Sequence, residues 1–211
     1  MTADATGCAK KCRGRPKMFD REVALDKAMT LFWQYGYEAT SLADLVEATG
    51  AKAPTLYAEF VNKEGLFRAV LDRYIERFAA RHEAHLFCEE KSVEQALRDY
   101  FSAVATCYTS KDTPAGCFMI NTSSALAASS KEIAETIKSR HAMQEKTLCD
   151  FLIQRQARGE IPADKPVGQL AEFLNCILQG MSVSAREGAS YEKLLQITET
   201  TMKLWPQILK V

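Results

Sequence analysis

The sequence lacks three features, and each absence excludes a class of protein. No apolar run approaches the roughly 18 residues that a membrane-spanning helix needs, and the polar first twenty residues lack the apolar middle of a signal peptide. An excess of one charge is also missing, since 27 lysines and arginines balance 27 aspartates and glutamates. We therefore expect a cytoplasmic protein with no membrane partner, in which any site for a polyanion is local.

Paired cysteines are absent as well. The seven cysteines are odd in number and contain no CxxC pair, which argues against a disulfide framework and against a structural zinc site. We expect reduced thiols, which can serve as soft metal ligands or redox sensors.

Period-two alternation is missing, whereas apolar residues recur at spacings of three and four along nearly the whole chain. The pattern predicts an all-α fold. The predicted helices cover 20–35, 41–49, 52–59, 63 to the mid-eighties, 93–108, 117–126, 131–158, 167–186 and 191–209. We divide the chain into a basic arm (1–19), a helix-turn-helix domain (20–65) and a helical effector-binding and dimerisation domain (66–211).

A tight connection at Gly50 joins two short predicted helices. Ser41 and Asp44 can cap the first of them, and Pro54 is tolerated only in the first turn of the second. This outline is typical of a helix-turn-helix, whose second helix enters the DNA major groove.

The second helix should turn Leu56 and Phe60 toward the core, because they lie four residues apart. Polar side chains on its other face and at the neighbouring helix starts suit phosphates and base edges. These residues are Thr40, Ser41, Lys52, Thr55, Tyr57 and Lys63.

The stretch TSLADLVEATGAKAPTLYAEFVNKEGLF, residues 40–67, resembles the signature of the TetR family of bacterial transcriptional regulators. The resemblance spans about fifty residues in register. It implies a three-helix DNA-binding domain, a larger sensing domain and repression of transcription. It also implies that Thr40, Tyr57 and Lys63 contact phosphates, while Lys52, Pro54 and Thr55 lie where the family reads bases.

The sequence departs from the family pattern at two positions. Lys52 stands where the family often has serine or threonine as a cap, and Glu59 stands where an aromatic residue or histidine is usual. A carboxylate is unfavourable beside phosphate, although it could accept a hydrogen bond from a cytosine amine.

The segment KKCRGRPK, residues 10–17, holds five positive charges and no acid. Arg13 and Arg15 could enter a narrow minor groove from a flexible arm, because that groove concentrates negative potential. The alternative is a disordered basic tail.

The last two predicted helices carry apolar stripes that suit a two-fold interface, and the resemblance implies that they pair in a homodimer. Two recognition helices about 34 Å apart would then read a palindromic operator. The fourth helix begins at Lys63 and is the natural lever between effector and DNA. The predicted interface residues are Leu170, Phe173, Leu174, Ile177, Leu178, Met181, Leu204 and Trp205.

Several cysteines, histidines and a methionine in the larger domain are the donors that Cu(I) prefers, although buried cysteine and methionine are more often ordinary core residues. The segments TSKDTPAGCFMIN, RQARGEIP and SAREGAS are also similar to the copper-responsive TetR-type repressors of enteric bacteria. That similarity implies copper as effector without identifying its ligands. The candidates are His82, His85, Cys88, Cys107, Cys117, Met119, His141, Cys149 and Cys176, of which the first three are spaced three residues apart at the end of the fourth helix.

Two other effectors fit the sequence. A small apolar molecule could occupy a pocket between the helices, and a thiol-oxidation sensor would need an exposed cysteine of low pKa. The pocket residues would be Phe118, Met119, Phe151, Phe173 and Met181.

An enzyme could use Cys107 or Cys149 with His141 and Asp150 as a nucleophilic constellation. No glycine-rich oxyanion or phosphate loop accompanies these residues. We therefore expect no catalysis and no required cofactor.

Overall fold

The structure, a computed structural model, describes residues 19–123 and 131–210. Every regular element within these ranges is helical, as predicted, and none of the helices they contain is long and apolar enough to cross a bilayer. Arg13 and Arg15 of the predicted arm lie outside the described residues. The helices are α1 (Arg21–Tyr35), α2 (Leu42–Thr49), α3 (Ala53–Phe60), α4 (Lys63–Tyr74), α5 (Ala80–Glu83), α6 (Val93–Tyr108), α7 (Phe118–Ser123), α8 (Lys131–Ala157), α9 (Val167–Arg186) and α10 (Tyr191–Ile208).

Local signals set the boundaries of α2 and α3. The Ser41 hydroxyl accepts the Asp44 N–H at 3.2 Å, and the Asp44 carboxylate accepts the Ser41 N–H at 2.7 Å, which completes the predicted capping box. Gly50 ends α2 with φ 68°, a left-handed conformation that favours glycine. The turn that orients α3 is therefore fixed by residues close in sequence.

Helix α4 continues past Tyr74 but changes its winding. Over Ile75–Ala79 the backbone forms a π-helical turn, in which the Ala80 N–H donates to the Ile75 carbonyl, and α5 follows directly. Turns of this kind are rare and frequent at functional sites. The predicted single helix thus continues from Lys63 to Glu83 but contains an irregular turn over Ile75–Ala79.

An aromatic cluster joins the two predicted domains. The Trp33 ring of α1 packs edge-on against Tyr74 of α4 at 5.2 Å and against Phe118 of α7 at 6.0 Å. Phe67 of α4 also contacts Phe118, with ring centroids 5.7 Å apart. Because α7 belongs to the larger domain, a displacement of the Phe118 ring in that domain would move the side chains packed against it on α1 and α4.

Arg155 ties the C-terminal end of α8 to the segment before α6. Its guanidinium donates to the carbonyls of Lys91 at 2.7 Å and Cys88 at 2.8 Å and to the Glu160 carboxylate at 2.8 Å. Glu160 also accepts the Val93 N–H at 3.0 Å. The Arg155 side chain is only 4% exposed, so this network is an internal part of the fold that the sequence did not reveal.

The predicted interface set needs correction. In the larger domain α8 packs on α9, and α10 packs on α6. Five of the eight predicted interface residues are buried inside the single chain, because the apolar stripes of α9 and α10 face its own core: Leu170, Leu174, Leu178, Met181 and Trp205. The outward side of the same helices leaves three of the predicted residues available to a partner: Phe173, Ile177 and Leu204.

Candidate nucleic-acid interface and effector site

Helix α3 presents the face that the sequence predicted. Leu56 is 2% exposed and Phe60 5% exposed, so both anchor the helix in the core. Lys52 and Tyr57 are exposed on the opposite side, and Thr55 is half-buried beside them. Pro54, exposed in the first turn, completes this polar face. Such a face has the size and chemistry to enter a major groove.

Lys63 stands at the start of α4, close to the N-terminus of α2. Its ammonium lies 4.3 Å from the centre of the Tyr37 ring, a cation–π contact that holds the side chain in place. Burial lowers the pKa of Lys63, while Glu38 and Asp44 act in the opposite direction. The cation is thus positioned beside the groove face by a residue, Tyr37, that the sequence analysis did not connect with it.

The hydroxyls of Thr40 and Ser41 have internal partners. Thr40 is buried and donates to the Gly36 carbonyl at 2.8 Å, while the Ser41 hydroxyl lies 2.7 Å from the Asp44 carboxylate. Both hydroxyls were predicted to meet phosphate, yet in the structure the Ser41 hydroxyl caps α2 and the Thr40 hydroxyl closes the turn before it. A hydroxyl used for capping has less capacity left for an external ligand.

Glu59 has a partner that the sequence did not indicate. The Arg21 Nε donates to its carboxylate at 2.8 Å, and the same guanidinium lies 5.4 Å from the Phe60 ring. Because Arg21 begins α1, 38 residues before Glu59, no local pattern connects the two. The pair offsets the negative charge that would otherwise oppose a phosphate.

Soft donors converge where α4, α6 and α7 meet. A small enclosed cavity of about 20 Å³ lies among Cys117, Met119, His82 and the hydroxyl-bearing rings of the aromatic residues on α4 and α6. An open groove of about 580 Å³ lies on the other side of His82 and is lined by Cys107. His82 therefore lies between an inner pair, Cys117 and Met119, and Cys107, which is buried but lines the open groove.

Burial keeps the two thiols protonated. Cys117 is fully enclosed, and its Sγ lies 3.4 Å from the Tyr74 hydroxyl. Burial raises its pKa. Burial, and then the neighbouring Cys117, raise the pKa of Cys107 to about 12. A thiol with so high a pKa is a poor nucleophile and a slow target for oxidants, whereas a bound cation would favour both thiolates.

His82 is held as a neutral imidazole. Burial, followed by the electrostatic influence of His85 and Arg81, lowers its pKa to about 4. A neutral imidazole keeps a lone pair for a metal ion at neutral pH.

The predicted trio of His82, His85 and Cys88 does not assemble. Helix α5 ends at Glu83, so His85 and Cys88 lie in the turns that follow it and do not continue its face. In the part of the chain that the structure describes, no three His, Cys, Asp or Glu side chains are arranged to hold a metal ion. The helical spacing used in the prediction did not apply, because the helix stops between these residues.

The other predicted donors lie apart from the cavity. His141 on α8 is half-buried, with Nδ1 enclosed and unpartnered, Cys149 is half-buried, and Cys176 is exposed on α9. None of them lines the inner cavity.

Three tyrosines around Cys117 were missed by the sequence analysis: Tyr74, Tyr100 and Tyr108. Burial raises the pKa of each of them, so their hydroxyls stay neutral. The spacing of Tyr100 and Tyr108, eight residues apart on one face of α6, was the signal available in the sequence.

The apolar pocket predicted from five side chains is also only partly present. Phe118, Phe151 and Met181 are core residues with at most 1% exposure, and Phe173 faces outward. Met119 instead lines a separate cavity of about 140 Å³, together with residues of the π-helical turn and of α8.

Comparison with known proteins places the chain among regulators. The profile of bacterial regulatory proteins of the tetR family matches residues 24–70, and that of the tetracyclin repressor-like C-terminal domain matches residues 93–197. HTH-type transcriptional repressor ComR of Escherichia coli K12 is 75% identical over 210 residues, covering 100% of both chains. HTH-type transcriptional repressor BdcR of the same organism is 31% identical, covering 86% of each.

Solved structures give the same result. A cysteine mutant of the TetR family transcriptional regulator CifR, complexed with 26 bp double-strand operator DNA, superposes with a TM-score of 0.84 at 30% identity. The match covers 92% of this chain and 100% of that one. These relatives are transcriptional regulators.

Proposed function

The chain belongs to the TetR family of bacterial regulatory proteins, and from that premise we propose that it is a homodimeric repressor that releases a palindromic operator when copper binds its larger domain. It carries the DNA-binding helix-turn-helix of that family. As a DNA-binding regulator of bacterial type, it would act in the cytoplasm and would need no resident cofactor.

The observation that carries the copper proposal is the convergence of Cys107, Cys117, Met119 and His82 around adjoining cavities. Thiolate, thioether and imidazole are the ligands that suit Cu(I), which two or three of them can hold. These four residues fit such an ion by donor type, although among the described residues His82, Cys107 and Cys117 are not arranged as one three-ligand set, so the ion would be held by two of the four or by a set that includes Met119. Copper bound there would supply the positive charge that the two buried thiols need in order to lose their protons.

The site is connected to DNA through the rod of α4 and α5. His82 lies on α5, Lys63 begins α4, and the π-helical turn Ile75–Ala79 lies between them. A π-helical turn holds an extra residue relative to α-helical winding. When His82 moves, the π-helical turn can change its own winding or α4 can rotate. A rotation of α4 would change the separation of the two recognition helices in a dimer.

An organic effector is the second candidate. The cavity of about 140 Å³ beside Met119 also contacts the π-helical turn through Ile75 and Ala79. A small apolar molecule there would act on the same rod. A thiol-oxidation sensor and a cysteine nucleophile are less well supported, because the pKa of Cys107 is raised to about 12 rather than lowered.

We expect Cu(I) to release the reduced protein from labelled DNA of its own promoter, and Zn(II) to leave the complex intact at the same concentration. The reason is that the site offers soft donors and, among the described residues, no set of three side chains that would suit zinc. Fluorescence anisotropy without oxygen and at fixed salt measures the release. Equal release by both metals, or by neither, would contradict the copper proposal while leaving DNA binding intact.

Substitutions at the DNA face should separate into two classes. Lys63→Ala should weaken binding to every DNA sequence about tenfold and reduce the salt slope by about 1, since it removes a phosphate contact.

Thr55→Val should instead change which DNA sequence is preferred, with a change of about 1–3 kcal/mol in the discrimination between base pairs at each affected position. Selection from a randomised DNA library measures both effects, with Lys203→Ala on the exposed side of α10 as the control. A uniform loss in the Thr55 variant would contradict its base-reading role.

A further inference from the structure

A further cavity lies between the DNA-binding helices and the sensing domain. It has a volume of about 490 Å³ and is lined by Trp33 and Gln34 of α1, by Lys111 and Thr113 of the loop before α7, and by Arg186 at the end of α9. We call it the interdomain groove. It differs from the small enclosed cavity beside Cys117, because neither His82, Cys117 nor Met119 lines it.

Two buried polar atoms of groove-lining residues have no hydrogen-bond partner. They are Trp33 Nε1 and Thr113 Oγ1, and Trp33 is only 1% exposed. Buried polar groups are nearly always paired with protein, water or ligand. Two unpaired groups at one cavity indicate that something with hydrogen-bond acceptors belongs there, because an indole N–H can only donate.

The charges of the groove favour an anion. Lys111 and Arg186 contribute two positive charges against the single negative charge of Asp112. None of the three forms a salt bridge with any residue in the ranges 19–123 and 131–210, although Arg186 donates a long hydrogen bond of 3.4 Å to the Asn121 carbonyl. A planar guanidinium beside a free ammonium suits a carboxylate.

We propose that the interdomain groove binds a small organic carboxylate. Lys111 and Arg186 hold its charge, and the Trp33 indole and the Thr113 hydroxyl donate to its oxygens. The volume falls within the range typical of small-molecule sites. Because the groove is formed by α1 on one side and by the sensing domain on the other, the bound carboxylate connects the two and opposes any movement between them.

The test uses the full-length protein and sodium benzoate as the probe, with benzamide as a neutral molecule of the same shape. Isothermal titration should show saturable binding of benzoate and none of benzamide. The chain has two tryptophans, so the Trp205→Phe variant leaves Trp33 as the fluorescent reporter, and benzoate should change its emission along the same binding curve.

Thr113→Val and the double variant Lys111→Ala/Arg186→Ala should each lower the benzoate affinity at least about tenfold, because each removes a charge-assisted or buried hydrogen bond. The double variant Lys193→Ala/Lys203→Ala removes two exposed lysines of α10 and should bind as the wild type does.

Three results would overturn the proposal. They are no saturable benzoate binding by the wild type up to about 20 mM, equal binding of benzamide, and unchanged affinity in the groove variants. Saturation by inorganic phosphate but not by benzoate would overturn the assignment to a carboxylate. If the double variant fails to fold, Thr113→Val with the wild-type titration still decides the question.

Discussion

We expect the Cys107→Ser/Cys117→Ser variant to stay on operator DNA at Cu(I) concentrations that release the wild type. Both thiols adjoin His82, and Cys117 is enclosed beside Tyr74. Serine keeps the size and a hydrogen-bonding group but is a poor ligand for a soft ion. The affinity for Cu(I) should fall at least about 100-fold, since changes merely around a metal site already cost 10- to 100-fold. Competition with a Cu(I)-specific chelator measures that affinity without DNA.

The matched control removes two thiols elsewhere. Cys149 is half-buried and Cys176 is exposed, and neither lines the enclosed cavity beside Cys117 or the open groove beside Cys107. The Cys149→Ser/Cys176→Ser variant should therefore bind Cu(I) and release DNA as the wild type does. Loss of the response in this control, with retention in the Cys107/Cys117 variant, would show that the copper ligands were assigned to the wrong thiols. A normal response in both variants would exclude thiol ligation at these four positions.

Arg155→Leu should destabilise the protein by about 1–3 kcal/mol, the cost typical of leaving a buried hydrogen-bond acceptor without its partner. The variant leaves Glu160 without its cation and the carbonyls of Lys91 and Cys88 without a donor. The segment before α6 would lose its attachment to α8. Urea unfolding followed by circular dichroism measures the change in the free energy of unfolding.

Arg158→Leu is the control, because Arg158 pairs at 2.9 Å with Glu89, whose side chain is 81% exposed. Exposed pairs of this kind contribute about 0–1 kcal/mol. If both variants lose the same stability, the Arg155 network does not have the structural role assigned to it.

The same network predicts a pH dependence. Burial alone would raise the pKa of Glu160, but hydrogen bonds from Arg155 and from the Val93 N–H lower it below the ordinary 4.5. Because the folded state binds protons less readily than the unfolded chain, this contribution is present above pH 4.5 and is lost as the pH falls through the lowered pKa. The stability difference between the wild type and Arg155→Leu should therefore shrink in acid.

Most helices, the cap of α2 and the buried side of α3 could be predicted from local sequence patterns. Ser41 and Asp44 are three residues apart, Gly50 follows the last turn of α2, and Leu56 and Phe60 share one side of a helix. Each of these features depends on neighbours within one or two turns. Helical geometry alone therefore relates their spacing in sequence to their position in space.

The neighbours of each helix face became known only from the packing of the helices. Helical periodicity identified the apolar stripes of α9 and α10, yet it could not tell that Leu174 and Met181 face their own core while Phe173 faces outward. Helical periodicity also could not predict the contact between Arg21 and Glu59. It could not predict that Cys107 and Cys117 are buried whereas Cys176 is exposed. Contacts between residues far apart in sequence depend on how the helices pack, because the chemistry of a side chain does not specify its distant neighbours.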